Sequence, residues 1–396
     1  MRVKSWHVPL GLWLAVILAG VLVAGTASPA AEADAQKSSS GSALNGDPRC
    51  EYAGEWGNPN PMAGFIHSIS AVAVGPNGNV YVAEEFDVAK HQIQVFDRAG
   101  KFLRAWGERP YPGRAVSVST EAELSSPHEI AVAPDGTVYV AVFDGRVRRF
   151  TPDGKQLGSW VLPEVDDDTF YPQDMAVAPD GTVYVVGGGR VQYFSPEGEF
   201  LGKWGKFGLA KGEFADPCSV AVAPDGTVYA ADMAEGGVQY FTANGSFLGK
   251  WGYDGPREER FLTTALDVGP DGDVFVAGYR MAEGPWPRGG RLVFRFGPTG
   301  ALKGILRLRR RAGIAFYPAG PGIAVGPDGT IYVAERDWGR VSYYKPVGLR
   351  RRLSMLLGSA ILLAAVAITA VNVAGAAGRR LGRRPPPVRR FGQSFL

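Results

Sequence analysis

His128, Glu129, Asp174 and Cys218 are the residues of this chain best suited to chemistry. Imidazole, carboxylate and thiolate together make a metal-ligand set, for zinc above all and for calcium where carboxylates dominate. These four are far apart in sequence yet occupy matching places. Each stands one or two residues before a repeated phrase, which reads IAVAPDGTVYV at Ile130, MAVAPDGTVYV at Met175 and VAVAPDGTVYA at Val220. Glu84 and Asp232 stand at the far end of such phrases and extend the candidate metal set to His128, Asp174, Cys218, Asp232 and Glu84. A centre of this kind would activate water or polarise a carbonyl in a hydrolase or lyase. The bland alternative is a rim of polar groups satisfied by water. The chain has no nucleophile-elbow serine, no phosphate loop and no Cys–His spacing diagnostic of catalysis.

The elements that must position these residues are repeats. The phrase recurs as VAVGPNGNVYV at Val72, LDVGPDGDVFV at Leu266 and IAVGPDGTIYV at Ile323, six copies in all. The glycines that close its turn are Gly78, Gly136, Gly181, Gly226, Gly272 and Gly329, at spacings of 58, 45, 45, 46 and 57. Each phrase predicts two strands joined by a tight turn, in which Pro presets φ, Asp bonds nearby backbone and Gly takes positive φ. A third strand follows, as in GRVRRF from Gly145 or GRVQYF from Gly189, and then a fourth such as FLGKWG ending at Gly205. Four strands in about 45 residues are one blade of a propeller, and a lone blade cannot bury its faces, so six must stack in a ring. The sixth copy stops after its third strand near Pro346. Glu51 to Gly57 has the look of the missing fourth strand and is expected to close the ring. The fold class is therefore all-β, a six-bladed β-propeller closed by an N-terminal strand.

Chain direction puts all the tight turns at one end of the ring and all the long insertions at the other. Those insertions are 108–127, 162–172, 279–289 and 307–321, and variable loops on a rigid frame are where binding is built. At that end the channel mouth is expected to carry one ring of Ser70, His128, Gln173, Cys218, Thr264 and Pro321, and a second of Ala71, Glu129, Asp174, Ser219, Ala265 and Gly322. Ser70, Gln173 and Thr264 are candidate binding residues there. Trp286, held between Pro285 and Pro287, is a candidate protein-binding anchor. Arg309 and Arg310 are candidates for an anionic glycan or headgroup, or else charges that blunt a strand edge.

The third-strand motifs resemble those of the NHL repeat family, whose units carry Asn-His-Arg-Ile followed by Gln-Val-Phe. Lys90-His91-Gln92-Ile93-Gln94-Val95-Phe96 comes nearest, and Arg146, Arg190, Arg291 and Arg340 keep the motif's arginine. The resemblance covers about residues 50–346. It implies a propeller and a family holding binding modules, sensors and a few lyases and hydrolases. It makes His91 a structural blade position and leaves His67 in a loop. The family's peptide-amidating lyases use three histidines on zinc at the channel, whereas this chain has one His in its mouth ring. Gluconolactonase-like propellers hold a metal with Glu and Asn or Asp, which Glu84, Asp174 and Asp232 match loosely.

The flanks suggest export. Residues 1–35 carry Arg2 and Lys4, an apolar run and small residues, the pattern of a secretory signal or of an uncleaved anchor; residues 36–49 form a polar linker. Residues 353–378 hold no charge, long enough for a transmembrane helix, and the arginine excess after them places the tail 379–396 in the cytoplasm. The nine arginines beyond residue 348 exceed the whole chain's +3, and residues 1–35 balance, so residues 36–348 carry −6. That balance argues against nucleic acid. Two cysteines, Cys50 and Cys218, lie at opposite edges of their blades, too far apart for a bond to be expected. The sequence thus reads as a single-pass cell-membrane protein with its propeller outside, binding a protein, peptide or cell-envelope glycan and requiring no cofactor. The alternative is a metal-dependent, lactonase-like or peptide-amidating-lyase-like enzyme with zinc or calcium at the channel mouth.

Overall fold

The computed structural model describes residues 50–57, 68–86, 90–107, 124, 126–164, 170–234, 236–252, 261–280, 291–308, 322–335 and 339–347. The expected signal, linker, transmembrane helix and tail, together with His67, Trp286, Arg309, Arg310 and Pro321, lie outside the described residues. No helix among the described residues is long and apolar enough to cross a membrane.

Six four-stranded antiparallel sheets are present. Five are built from consecutive strands, blade 1 to blade 5. In the sixth, the N-terminal strand Cys50–Trp56 pairs with the last strand, Arg340–Pro346, from Cys50 against Pro346 to Trp56 against Val341. The expected closure is therefore how the ring is made. The second strands are buried, Val138–Val142, Val183–Gly187 and Val228–Asp232 along their whole length, because each is covered on both faces by neighbouring blades. Burial falls into six apolar clusters, each shared by two successive blades.

The Pro-Asp-Gly turns form as their residues dictate. In blade 2, Gly136 N donates to Ala133 O at 2.9 Å and Gly136 takes φ +90°. Asp135 Oδ1 accepts from Thr137 N at 2.8 Å. The same side-chain acceptor recurs in the other five blades at Asn77, Asp180, Asp225, Asp271 and Asp328.

Two contacts lock each blade to the next. A fourth-strand tryptophan lies against the glycine of the following blade's second turn: Trp56 on Gly100, Trp106 on Gly154, Trp160 on Gly198, Trp204 on Gly245 and Trp251 on Gly300. A Cβ at any of these glycines would fall 2.0–2.5 Å from the indole, so no larger residue fits. The same tryptophans stack on Phe96, Phe150, Phe194, Phe241 and Phe296, with centroids 4.2–5.8 Å apart. Above them, second-strand tyrosines reach the same turns. Tyr139, Tyr184, Tyr229 and Tyr332 donate to the carbonyls of Pro196, Ala243, Pro298 and Arg98.

The joint between blades 5 and 6 differs, and the reason is topological. Blade 6 has no turn between its third and fourth strands, because those strands come from opposite ends of the chain. It therefore offers neither a glycine nor a turn carbonyl. Blade 5 correspondingly carries Leu306 where the others have Trp, and Phe275 where they have Tyr; both pack with Tyr344, Ile323 and Cys50. Arg295 covers Phe275 at 5.4 Å and bonds Asp273 and Asp271, each at 2.6 Å, while Lys303 also reaches buried Asp273.

Candidate functional site

The six first strands, Ile69–Val74, Pro127–Val132, Asp174–Val177, Pro217–Val222, Phe261–Val268 and Gly322–Val325, line a central channel of about 360 Å³. The expected mouth residues Ser70, His128, Gln173, Cys218 and Thr264 all face it, as do Ala71, Glu129, Asp174, Ser219, Ala265 and Gly322. The mechanism that puts the first ring there was not read from the sequence. In four blades the first strand is bulged, with Ser70, His128, Cys218 or Thr264 as the extra residue. A bulge re-aims one side chain and leaves the extra residue out of the ladder.

At three of the four bulges the extra side chain bonds a carbonyl of the opposite strand. Ser70 Oγ donates to Ala83 O at 3.2 Å, Cys218 Sγ to Ala231 O at 3.6 Å and Thr264 Oγ1 to Ala277 O at 3.2 Å. Ser70 and Cys218 also reach the next blade, at Pro127 O (2.6 Å) and Thr263 O (3.5 Å). Three of the four bulges carry a small side chain with one proton, which Ser70 and Cys218 share between two carbonyls, so a thiol serves as a serine would; the fourth carries His128. Burial pushes the Cys218 pKa well above its usual value, and Asp174, Asp216 and Asp232 push it further. The group is thus a thiol, a far weaker nucleophile than a thiolate. Cys50 and Cys218 are both free of disulfides. We expect Cys218 to react with iodoacetamide at pH 8 far more slowly than a free cysteine does. Fast labelling in the folded protein, read by mass spectrometry, would contradict the assignment.

The other candidates are held in place as well. Glu84 is buried, its Oε2 accepting from Gln92 at 2.5 Å and Gln94 at 2.8 Å. Asp232 is buried and caps loop amides, with Ala215 N at 2.7 Å and Ala234 N at 2.9 Å. His91 Nδ1 accepts from Ser126 N at 3.1 Å and so anchors the loop into blade 2. His128 and Glu129 face each other with Nδ1 to Oε1 at 3.9 Å. Among the described residues no three His, Cys, Asp or Glu side chains converge as a metal site.

Asp174 is the centre of a wall of hydrogen bonds. Its Oδ2 accepts from Ser219 Oγ at 2.5 Å and Val220 N at 2.8 Å, and its Oδ1 from Met175 N at 2.7 Å. Ser219 Oγ in turn accepts from Leu266 N at 2.9 Å, so blades 3, 4 and 5 are stitched together beside the channel. Burial nevertheless raises the Asp174 pKa to about 6, outweighing these bonds.

A third ring lies one step deeper, and sequence reasoning stopped short of it. It reads Ala73, Ala131, Ala176, Ala221, Asp267 and Ala324. Asp267 is the one acid among five alanines. It bonds blade 6 through Val325 N at 2.6 Å and its own strand through Val268 N at 2.7 Å. Burial, with Asp174 as a lesser contributor, raises its pKa to about 7. The signal was visible: five phrases have Ala before the Val that leads into the turn, and LDVGPDGDVFV has Asp. Near neutrality Asp267 holds a proton about half the time and can donate it to a guest in the channel, whereas Asp174 does so only at mildly acid pH.

No protein-family model matches the chain, and no curated protein matches it significantly. Solved structures share its fold. A streptogramin B lyase aligns at 15% identity and TM-score 0.51, over 76% of this chain and 100% of that one. A selenomethionine-substituted virginiamycin B lyase from Staphylococcus aureus aligns at 15% identity and TM-score 0.47, over 75% and 100%. A catalytically inactive variant of virginiamycin B lyase from the same organism, solved with quinupristin, gives 17% and 0.45, over 73% and 83%. At these identities the likeness is one of propeller architecture.

Proposed function

We propose that this protein is a membrane-tethered, extracytoplasmic propeller of NHL type that binds or senses a protein, peptide or glycan at the loop end of its channel. The observation that carries the reading is what the polar groups at that end bond to. Ser70, Cys218, Thr264, Asp174, Glu84, Asp232 and His91 each hold a strand or loop of the protein itself. They build a rigid polar mouth rather than a set of converging ligands. The geometry of the chain ends supports the tether: Cys50 pairs with Pro346, and Pro346 lies against the Gly329 turn. The chain thus leaves the propeller at the turn end, six residues before the uncharged run, so a membrane there leaves the loop end open.

The second reading, a metal-dependent lyase or hydrolase with its site at the channel mouth, draws on the raised pKa values of the Asp174 and Asp267 carboxyls beside the channel. Elemental analysis of the purified full-length chain separates the two. We expect zinc and calcium well below one ion per chain. About one ion per chain, lost in His128→Ala and Asp174→Asn variants that keep the fold, would replace the binding reading with the enzymatic one.

A further inference from the structure

We propose that the loops over blades 2 to 4 form a docking surface for an extended basic peptide with aromatic side chains. This rests on the binding reading above and names its ligand class. Among the described residues, seven exposed apolar side chains lie on the outermost strands, one each in blades 1, 4 and 5 and two each in blades 2 and 3, and one or two such residues to a blade are ordinary. The loop end of blades 2 to 4 is different. Phe143, Tyr171, Phe207 and Leu209 are 60%, 50%, 78% and 65% exposed there. The Phe143 and Tyr171 rings already touch, with centroids 5.7 Å apart.

Between the two pairs runs the turn Gly187-Gly188-Gly189 of blade 3. The Tyr171 carbonyl lies 2.2 Å from where a Cβ of Gly187 would be, and Phe207 N lies 3.1 Å from that of Gly189. Both loops thus lie directly on a turn that has no side chains, and the aromatic groups rise on either side of it. Gly188 is exposed and presents its backbone to a chain laid along the turn.

Charge selects the occupant. Asp144, Glu164, Glu213 and Asp216 belong to the same loops, in excess over Lys206 and Lys211, while Arg146 and Arg190 open the strands beside them. Lys206 is held by Glu213 at 3.1 Å. Residues 36–348 as a whole carry −6. Aromatic anchors with an acidic surround favour a chain that offers apolar side chains and positive charge together.

The test uses the full-length chain in zwitterionic lipid nanodiscs and a fluorescein-labelled Lys-Phe-Lys-Phe-Lys amide, with binding read by anisotropy. Saturable binding below about 1 mM is expected. It should weaken roughly tenfold or more in Phe207→Ser and in Tyr171→Ser. It should weaken with added salt and be unchanged in Leu248→Ser, which alters an exposed leucine far from the ridge. Glu-Phe-Glu-Phe-Glu should not bind. The proposal is overturned if Phe207→Ser, melting as the parent does, binds the basic peptide equally well. It is also overturned if the acidic peptide binds as tightly, or if no saturable binding is seen up to about 1 mM. Failure here in metal-free protein removes the ligand class alone, whereas stoichiometric metal removes the binding reading itself.

Discussion

Replacing Trp160, which is partly buried, with alanine will cost the propeller up to about 3–5 kcal/mol, the range for a fully buried aromatic that leaves a cavity. Trp160 touches Gly198 and Phe194 of blade 3 and Tyr139 of its own blade, so the cavity opens at a joint between blades. The other side of the same contact will be as unforgiving. Gly198→Ala places a Cβ 2.4 Å from the indole at φ +96°. A left-handed Cβ costs roughly 1–2 kcal/mol and overpacking about 1–3 more. The double variant should be less damaged than the two losses combined, because the new methyl enters the space the indole has left. Trp160→Phe should be the mildest, since no described residue accepts the Trp160 indole N–H and the substitution removes that unpaired donor. Chemical denaturation followed by tryptophan fluorescence and circular dichroism gives all four values. A Trp160→Ala loss below about 1 kcal/mol would show that the joint is held by other contacts.

The joints also show how far the sequence can be read. The six phrases, their turns and the closing strand at Glu51 to Gly57 were legible because each is local: strand periodicity, turn chemistry and repeat length all point the same way. The exception at the joint between blades 5 and 6 was legible too, though only once the ring is drawn. Phe275 replaces a tyrosine whose hydroxyl would have no carbonyl to meet, and Leu306 replaces a tryptophan that would have no glycine to cover. Both substitutions record the missing turn of blade 6 from the neighbouring blade. Blade number therefore leaves its mark on residues that are not in the blade concerned.

The site was only half legible. Placing Ser70, His128, Gln173, Cys218 and Thr264 at the mouth needed counting alone, and the channel bears that placement out. What counting could not give was their bonding. A bulge is a property of two strands, so the demand for a proton donor at Ser70, Cys218 and Thr264 appears only when the partner carbonyls are placed. The same holds for Glu84, whose two glutamine partners are a strand away, and for Asp232, whose amides come from a preceding loop. Cys218 and Asp232, which suggest a metal by residue type, also bond backbone groups, and Glu84 bonds two glutamine side chains. Asp267 was missed for the opposite reason: it interrupts an alanine ring in a phrase otherwise read as a fold signal.

Asp174 and Asp267 will make the propeller less stable as pH rises from about 4 to about 7. Each holds its proton in the folded state to higher pH than the usual carboxylate value of 3.8, to about 6 for Asp174 and about 7 for Asp267. Across that window the folded state binds more protons than the unfolded chain, so unfolding free energy falls with pH and levels off once both groups are ionised. At 1.36 kcal/mol per pKa unit, the two shifts correspond to at most about 3 and about 4 kcal/mol. Asp153 and Glu213, whose hydrogen bonds lower their pKa values, act in the opposite sense and only toward the acid end. Asp267→Asn isolates the deeper group. Its amide cannot ionise, and one oxygen can still accept from Val325 N or Val268 N. The variant should therefore be more stable than the parent at pH 8 and lose that advantage by about pH 4. Because Asp174 raises the Asp267 pKa, Asp174→Asn should also shift the remaining fall in stability to lower pH. Denaturant midpoints measured from pH 4 to pH 8 decide the matter. A parent protein whose stability rises across that interval, or an Asp267→Asn curve parallel to it, would mean that both carboxylates ionise in the channel at their ordinary pKa, with water reaching them freely.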